Sequence, residues 1–168
     1  MTRSKEACPA TRTREIEDRR FILRSVELAI KNAKDGGEPF GAVLVRNGKV
    51  LAEAANEAHV EHDPTAHAEI QALRRASREL LTRSHPDGTM YASGKPCPMC
   101  MSAMIQAGIS RVVYCADDAV GGLYGFSTAG MYARMRREFG HQGISVDHLP
   151  DPRQSEPFDL WKDRNPPG

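Results

Sequence analysis

Two strand-like runs separated by Asn47-Gly48 constrain the fold of this 168-residue chain more than any other sequence feature. Residues 42–46 and 49–54 are rich in Val, Leu and Ala, and Asn-Gly between such runs is a strong signal for a type I′ β-hairpin. Upstream, apolar residues recur at helical spacing over residues 15–34, and Gly36-Gly37 ends the pattern. The chain is therefore predicted to open with a helix followed by two antiparallel strands.

The rest of the chain alternates between predicted helices and strands. Asp63-Pro64 favours the start of a second helix, with Asp63 as its cap and Pro64 at its first position. Strands are predicted at residues 89–93, 111–116 and 144–149, and helices at residues 98–108, 129–140 and 157–163. This alternation is typical of an α/β fold with right-handed crossovers between parallel strands.

Composition and charge set broad limits on what the protein does. A chain of this length with 40% hydrophobic residues is typical of one globular domain. Residues 1–13 lack apolar periodicity and are predicted to be a flexible arm, which leaves residues 14–168 as a single domain with a short C-terminal helix. The net charge of +1 gives no general attraction for polyanions. Without a long apolar stretch or a secretory signal, we expect a cytoplasmic protein with no membrane contact.

Cys97 and Cys100 have the spacing of a metal chelate. Two thiolates separated by two residues can hold one tetrahedral ion, although a redox dithiol has the same spacing. His67 supplies a third ligand, while a histidine on a helix is otherwise more often a core residue. Three protein ligands leave one position open for water, which is typical of catalytic zinc. The sequence therefore favours a site for one Zn²⁺ per chain.

Glu69 follows His67 by two residues, and this spacing alone does not place its carboxylate. Residues two apart on a helix point to different sides, and a helical Glu usually faces solvent. A carboxylate beside the activated water would nevertheless supply the proton transfers that hydrolysis requires. Both interpretations of Glu69 stay open at this point.

The segment His67-Ala68-Glu69, together with Pro96-Cys97-Pro98-Met99-Cys100, resembles the signature of the cytidine and nucleobase deaminase superfamily. The similarity runs from about residue 21 to residue 115. It implies a three-layer α/β/α sandwich with a central five-stranded mixed sheet, zinc ligated by His67, Cys97 and Cys100, and Glu69 as general acid and base. Water would attack an amidine-like carbon, and the tetrahedral intermediate would collapse with release of ammonia.

The same resemblance implies which residues contact the substrate. Asn56 would hydrogen-bond the ring, Phe40 would pack against it, and the backbone amide of Ala68 would face an exocyclic oxygen. The substrate-binding residues predicted in this way are Asn56, Phe40, Ala68 and Pro96, with Phe126, Ser127, Thr128 and Trp161 as further candidates for the pocket. Phe40 and Trp161 could equally be core residues. Asn56 could also be a turn residue after a strand, although its place in the sequence favours the substrate-binding role.

Within the superfamily, the segments GGEPFGAVLV, DPTAHAEIQALR and KPCPMC are similar to the guanine deaminases. The chain departs from them at Ser127-Thr128, where an acidic residue is usual, and at Lys95, where Glu is usual. The expected substrate is therefore a small nucleobase or nucleoside, with guanine leading and cytosine or another heterocycle as an alternative. The resemblance also implies a homodimer.

Two other functions are compatible with the sequence. The tRNA adenosine deaminases share DPTAHAE, and a tRNA substrate would need a phosphate-binding patch. Arginines available for such a patch are Arg111, Arg134, Arg136 and Arg137, although a solvated helix face is the usual meaning of such a run. The second alternative is not an enzyme: it is a zinc module in which the metal only stabilises the fold.

Overall fold

The computed structural model of the protein describes residues 9–165, which form seven helices and four strands. The helices are α1 (Pro9–Lys34), α2 (Ala58–Glu61), α3 (Ala68–Glu79), α4 (Pro98–Gln106), α5 (Asp118–Gly122), α6 (Ala129–Met135) and α7 (Glu156–Arg164). The strands are β1 (Gly41–Arg46), β2 (Lys49–Ala55), β3 (Gly88–Gly94) and β4 (Arg111–Ala116). Over the described residues, no helix combines the length and the apolarity that crossing a membrane requires.

The four strands form one mixed sheet in the order β2-β1-β3-β4. β1 pairs antiparallel with both β2 and β3, whereas β3 and β4 are parallel. Asn47 and Gly48 join β1 to β2 with positive φ angles of 51° and 72°, as a type I′ turn requires. The predicted hairpin and the predicted α/β class with a mixed sheet are therefore confirmed.

The central strand β1 is buried on both faces of the sheet. Ala42 and Leu44 belong to a core cluster with side chains of α3 and α4, whereas Val43 and Val45 pack in a second cluster that includes Phe21 of α1. This alternation follows from the two-residue period of a strand. Because α3 and α4 share one core cluster with Ala42 and Leu44, the two helices pack on the same face of the sheet.

The predicted fifth strand at residues 144–149 is wrong, because the described chain forms a four-stranded sheet and this segment has no regular structure. Its apolar side chains Ile144, Val146 and Leu149 are 69%, 45% and 92% exposed. Alternation of apolar and polar residues stabilises a strand only where a second layer covers the apolar face. In this chain the segment packs against no such layer.

The first helix begins earlier than predicted. α1 starts at Pro9, so residues 9–13, which were assigned to the flexible arm, are helical. The rest of that arm, residues 1–8, lies outside the described residues. The assignment of residues 14–168 to a single domain stays a prediction.

Asp18 and Arg111 join α1 to β4, and breaking this pair is expected to destabilise the fold. Nη1 and Nη2 of Arg111 each donate to the Asp18 carboxylate at 2.6 Å, and the Tyr91 hydroxyl donates to it at 2.8 Å. We expect Asp18→Asn to lower the free energy of unfolding by about 2 kcal/mol, since hydrogen bonds to charged groups contribute about 1.5–3 kcal/mol each. Urea denaturation measures this loss.

The matched control for Asp18→Asn is Glu15→Gln. Glu15 pairs with Arg19 at 2.7 Å, but these side chains are 58% and 77% exposed. An exposed pair contributes at most about 1 kcal/mol, so the control should change stability by less than that. Equal losses in the two variants would contradict the structural role of the Asp18–Arg111 pair.

His85, in the loop between α3 and β3, is expected to lower the free energy of unfolding at acidic pH. Its side chain is fully buried, Nε2 lies 2.9 Å from the Ser77 hydroxyl, and Nδ1 has no hydrogen-bond partner among the described residues. Burial, and secondarily the charge of Arg46, lower the pKa of His85 below its usual range. The folded state therefore favours the neutral ring, whereas the unfolded chain takes up a proton below about pH 6.5.

The preference of the folded state for the neutral His85 ring contributes stability above about pH 6.5, and this stability is lost as the pH falls below that value. Between pH 7.5 and 5.5, the free energy of unfolding should fall more steeply in the wild type than in His85→Gln. The difference in slope should be at most about 1.4 kcal/mol per pH unit. Denaturant titrations at several pH values measure it, with the exposed His141→Gln as control. Parallel curves for wild type and His85→Gln would show that His85 does not carry this dependence.

Candidate active site

Two helix N-termini meet at the predicted metal ligands. Cys97 is the N-cap of α4, directly after β3 and Lys95-Pro96, and His67 is the N-cap of α3 with extended angles of φ −68° and ψ 155°. The positive ends of both helix dipoles therefore face the thiols and favour their ionised form.

The predicted start of the second helix at Asp63-Pro64 is wrong, because α3 begins at Ala68. Asp63 caps a turn instead: its Oδ1 accepts hydrogen bonds from the backbone N–H and the hydroxyl of Thr65, both at 2.7 Å. Asp side chains readily close such local turns, so the Asp-Pro pair marks the loop before the helix. His67 is consequently placed ahead of the helix and not on its surface.

The three ligand atoms have the spacing of a tetrahedral zinc site. His67 Nδ1 lies 3.6 Å from the Sγ atoms of both Cys97 and Cys100, and the two sulfurs are 3.7 Å apart. Tetrahedral bonds of about 2.3 Å to sulfur and about 2.1 Å to nitrogen require about 3.8 Å between sulfurs and about 3.6 Å between nitrogen and sulfur. The observed distances agree with both values, so the residues present fit Zn²⁺.

The charges around the two thiols also fit a dication. Hydrogen bonds from Cys100 and His67 lower the pKa of Cys97 to about 4, although burial opposes this. The pKa of Cys100 is raised, because its thiol donates to Cys97 and is buried beside Glu69. Two thiolates this close together require compensating positive charge, which a zinc ion supplies.

Glu69 lies beside the three ligands. Its side chain is 7% exposed, and its Oε2 is 3.4 Å from Cys100 Sγ. Because His67 precedes α3, the two-residue spacing does not turn Glu69 away from the ligands, as it would within a helix. Burial raises the pKa of Glu69, which favours the uptake of a proton by this carboxylate, as a group that moves protons requires.

A cavity of about 230 Å³ opens onto this group. Its lining includes His67, Cys97 and Glu69 together with the aromatic residues Phe40 and Phe126. The two rings are perpendicular, with centroids 5.2 Å apart. Pockets for drug-sized ligands span about 300–1,000 Å³, so this smaller cavity suits a single base-sized ring.

The structure brings some of the predicted substrate-binding residues to this cavity and not others. Those that line it are Phe40, Phe126, Ser127 and Thr128. Asn56, Ala68 and Pro96 are buried nearby in the chain but are not among its lining residues. Trp161 lies on α7 and is 66% exposed, so the structure does not bring it to the cavity of its own chain.

Glu38 lines the cavity and was missed by the sequence analysis. Its Oε2 accepts a hydrogen bond of 2.9 Å from Asn56 Nδ2, while Asn56 Oδ1 accepts one of 3.0 Å from the N–H of Ala58. The Asn56 amide, 1% exposed, is therefore fixed in one orientation. A Glu within a Gly-Gly-Glu-Pro loop gives no sequence signal for this role.

Comparisons with known proteins agree on one chemistry. Residues 15–116 match the family model described as the cytidine and deoxycytidylate deaminase zinc-binding region. A guanine deaminase of Bacillus subtilis is 34% identical over 84% of this chain and 92% of its own length. A tRNA-specific adenosine deaminase of Agrobacterium fabrum is 41% identical over 58% of this chain and 66% of its own. The X-ray structure of a guanine deaminase from Bacillus subtilis superimposes with a TM-score of 0.81 at 32% identity, covering 89% of this chain and 96% of that one.

Proposed function

Because the chain belongs to the zinc-binding cytidine and deoxycytidylate deaminase family, we propose that it hydrolytically deaminates a free purine base, with guanine as the substrate. The observation that carries this proposal is the cluster of His67, Cys97 and Cys100, which adjoins a base-sized cavity lined by His67, Cys97, Glu69 and two aromatic rings. The product would be the corresponding oxo base, with one ammonia released for each water consumed.

Each part of the cavity has a chemical task in this reaction. Zinc at the three ligands supplies a Lewis acid that lowers the pKa of water toward 7. Glu69 takes a proton from the attacking water and delivers it to the departing amino group, so that the new C–O bond replaces the C–N bond without net proton uptake. Phe40 and Phe126 pack against the ring and exclude bulk water.

Charge at the cavity favours a neutral base over a polynucleotide. Besides Glu69, three carboxylates line it, those of Glu38, Asp117 and Asp118, against the single ammonium of Lys95. Phosphodiester groups would be repelled by this excess of negative charge.

Two of the four arginines that could form a phosphate patch, Arg111 and Arg134, already have hydrogen-bond partners. Arg111 is held by Asp18, and Arg134 Nε donates to the carbonyl of Gln142 at 2.9 Å. A phosphate at either position would have to use the N–H donors that these bonds leave free. The Agrobacterium relative, described as tRNA-specific, nevertheless makes tRNA adenosine the alternative substrate to test.

Ammonia release from a panel of substrates tests the proposal. Purified, zinc-loaded protein is incubated separately with guanine, cytosine, adenosine and tRNA, and ammonia and inosine are measured. We expect ammonia from guanine, with kcat/KM at least about 100-fold above the values for the other small substrates. Inosine formed only in tRNA would contradict the proposal.

We also propose a three-layer arrangement, a homodimer and a cytoplasmic location for this protein. The three-layer α/β/α arrangement is supported by the two core clusters. A homodimer is supported by large apolar side chains left exposed, such as Ile105 at 70% and Leu123 at 80%. A role in purine metabolism would follow from guanine as substrate, and a cytoplasmic location is part of the same proposal. Sedimentation at micromolar concentration tests the dimer, and a monomer would contradict it.

A further inference from the structure

Lys95 and Asp118 form an ion pair at the rim of the cavity. Lys95 follows β3, and Asp118 is the first residue of α5; their side chains are 31% and 25% exposed. The Lys95 ammonium also lies 5.1 Å from the centre of the Tyr132 ring on α6, and the Tyr132 hydroxyl donates to the carbonyl of Pro96 at 2.9 Å. Lys95 therefore contacts both α5 and α6 from the segment that leads to the metal ligands.

The second oxygen of Asp118 binds the loop between α5 and α6. While Oδ2 pairs with Lys95, Oδ1 accepts hydrogen bonds from the Thr128 N–H at 2.6 Å, the Thr128 hydroxyl at 3.0 Å and the Ser127 hydroxyl at 3.2 Å. One carboxylate thus connects the end of β3, the start of α5 and residues 127–128. These three segments are separate in the sequence, and the Asp118 carboxylate fixes their positions relative to one another.

The loop held by Asp118 carries the aromatic wall of the cavity. Phe126 immediately precedes Ser127, and its N–H donates to the carbonyl of Gly121 at 2.9 Å. At Gly121, an added Cβ would lie only 3.2 Å from the Phe126 carbonyl oxygen, so the loop packs closely on α5. The position of the Phe126 ring against Phe40 therefore depends on how residues 126–128 are fixed to α5.

We propose that the Lys95–Asp118 pair is a clamp that positions the Phe126 wall and so determines the affinity of the cavity for the base. The proposal rests on the proposed function, since it concerns binding at the same cavity. Lys95 and Asp118 act through Ser127, Thr128 and Phe126, so they are positioning residues and take no part in the chemical step.

Steady-state kinetics of Lys95→Met and Asp118→Asn test the clamp. Each variant should raise the KM for the base about tenfold while kcat stays within about twofold, which is the pattern of lost binding without loss of chemistry. The double variant should raise KM no further than the stronger single variant, because both changes break one interaction. Lys95→Arg, which keeps the positive charge, should hold KM within about threefold of the wild type. Lys31→Met, which breaks the exposed pair with Asp35, is the control and should leave both parameters unchanged.

A second measurement is independent of activity. Hydrogen exchange of the amides at residues 126–129 should accelerate about tenfold in Lys95→Met, because the Thr128 N–H loses a fixed acceptor. Unchanged KM together with unchanged exchange would overturn the clamp, as would a loss of kcat that parallels a loss of zinc. A wild type inactive on guanine would instead contradict the proposed substrate, and the exchange measurement would still decide on the clamp.

Discussion

Replacing Glu69 by Gln is expected to lower kcat about 1,000-fold while zinc content and melting temperature stay close to those of the wild type. Gln has nearly the same size as Glu and can keep the buried packing of this side chain, which is 7% exposed. It cannot accept a proton from water or deliver one to the leaving amine, so only the chemical step is affected. Ammonia release, metal analysis and thermal unfolding of the same preparation measure the three quantities.

Glu79→Gln is the matched control for this experiment, since Glu79 lies at the other end of α3 and is exposed. The control should retain wild-type kcat. Full deaminase activity in Glu69→Gln would contradict the assignment of Glu69 as the group that moves protons. A loss of zinc in Glu69→Gln would instead show that this carboxylate is needed to hold the metal.

Replacing Cys97 by Ser is expected to remove both zinc and activity. A neutral hydroxyl is a poor ligand compared with a thiolate, and the remaining pair of His67 and Cys100 leaves the ion incompletely bound. Without the ion, water keeps a pKa far above 7, so kcat should fall by at least about 1,000-fold. The melting temperature should also fall, because metal binding stabilises the folded chain. Metal analysis and thermal unfolding of dialysed protein check these outcomes.

Cys115→Ser is the control for Cys97→Ser, because the Cys115 side chain is exposed on β4 and is not among the clustered ligands. It should retain zinc and activity. If Cys97→Ser kept one zinc ion per chain, the metal would have to be bound elsewhere. If it lost zinc but kept deaminase activity, the metal would have only a structural role.

The features predicted correctly from the sequence are those fixed by local chemistry. Asn47-Gly48 specifies its turn because both residues tolerate positive φ, and the two-residue spacing of Cys97 and Cys100 places two sulfurs around one helix start. Neither feature needs knowledge of distant parts of the chain. Local signals of this kind therefore gave the hairpin and two of the three ligands.

The features predicted wrongly depend on packing or on competing local bonds. The Asp63 side chain accepts hydrogen bonds from Thr65 in a turn before the helix. The Asp-Pro pattern, which also occurs at helix starts, therefore marks the turn in this chain. Residues 144–149 alternate as a strand would, but their apolar side chains have no covering layer. A single sequence carries no signal for either outcome.

The contacts around the cavity were beyond sequence reasoning because they join distant residues. Glu38 reaches Asn56 across 18 positions, and Lys95 reaches Asp118 across 23. Lys95 alone gives no sequence signal for its partner Asp118. Their pairing in the fold is the basis of the proposed clamp.

The most direct test of hydrolytic base deamination is to run the reaction with guanine in water enriched in ¹⁸O and to analyse the product by mass spectrometry. If the protein adds water to the carbon that bears the amino group, each product molecule carries one ¹⁸O in its new oxo group and one ammonia is released with it. Product without the label, or label without an equal amount of ammonia, would contradict the account.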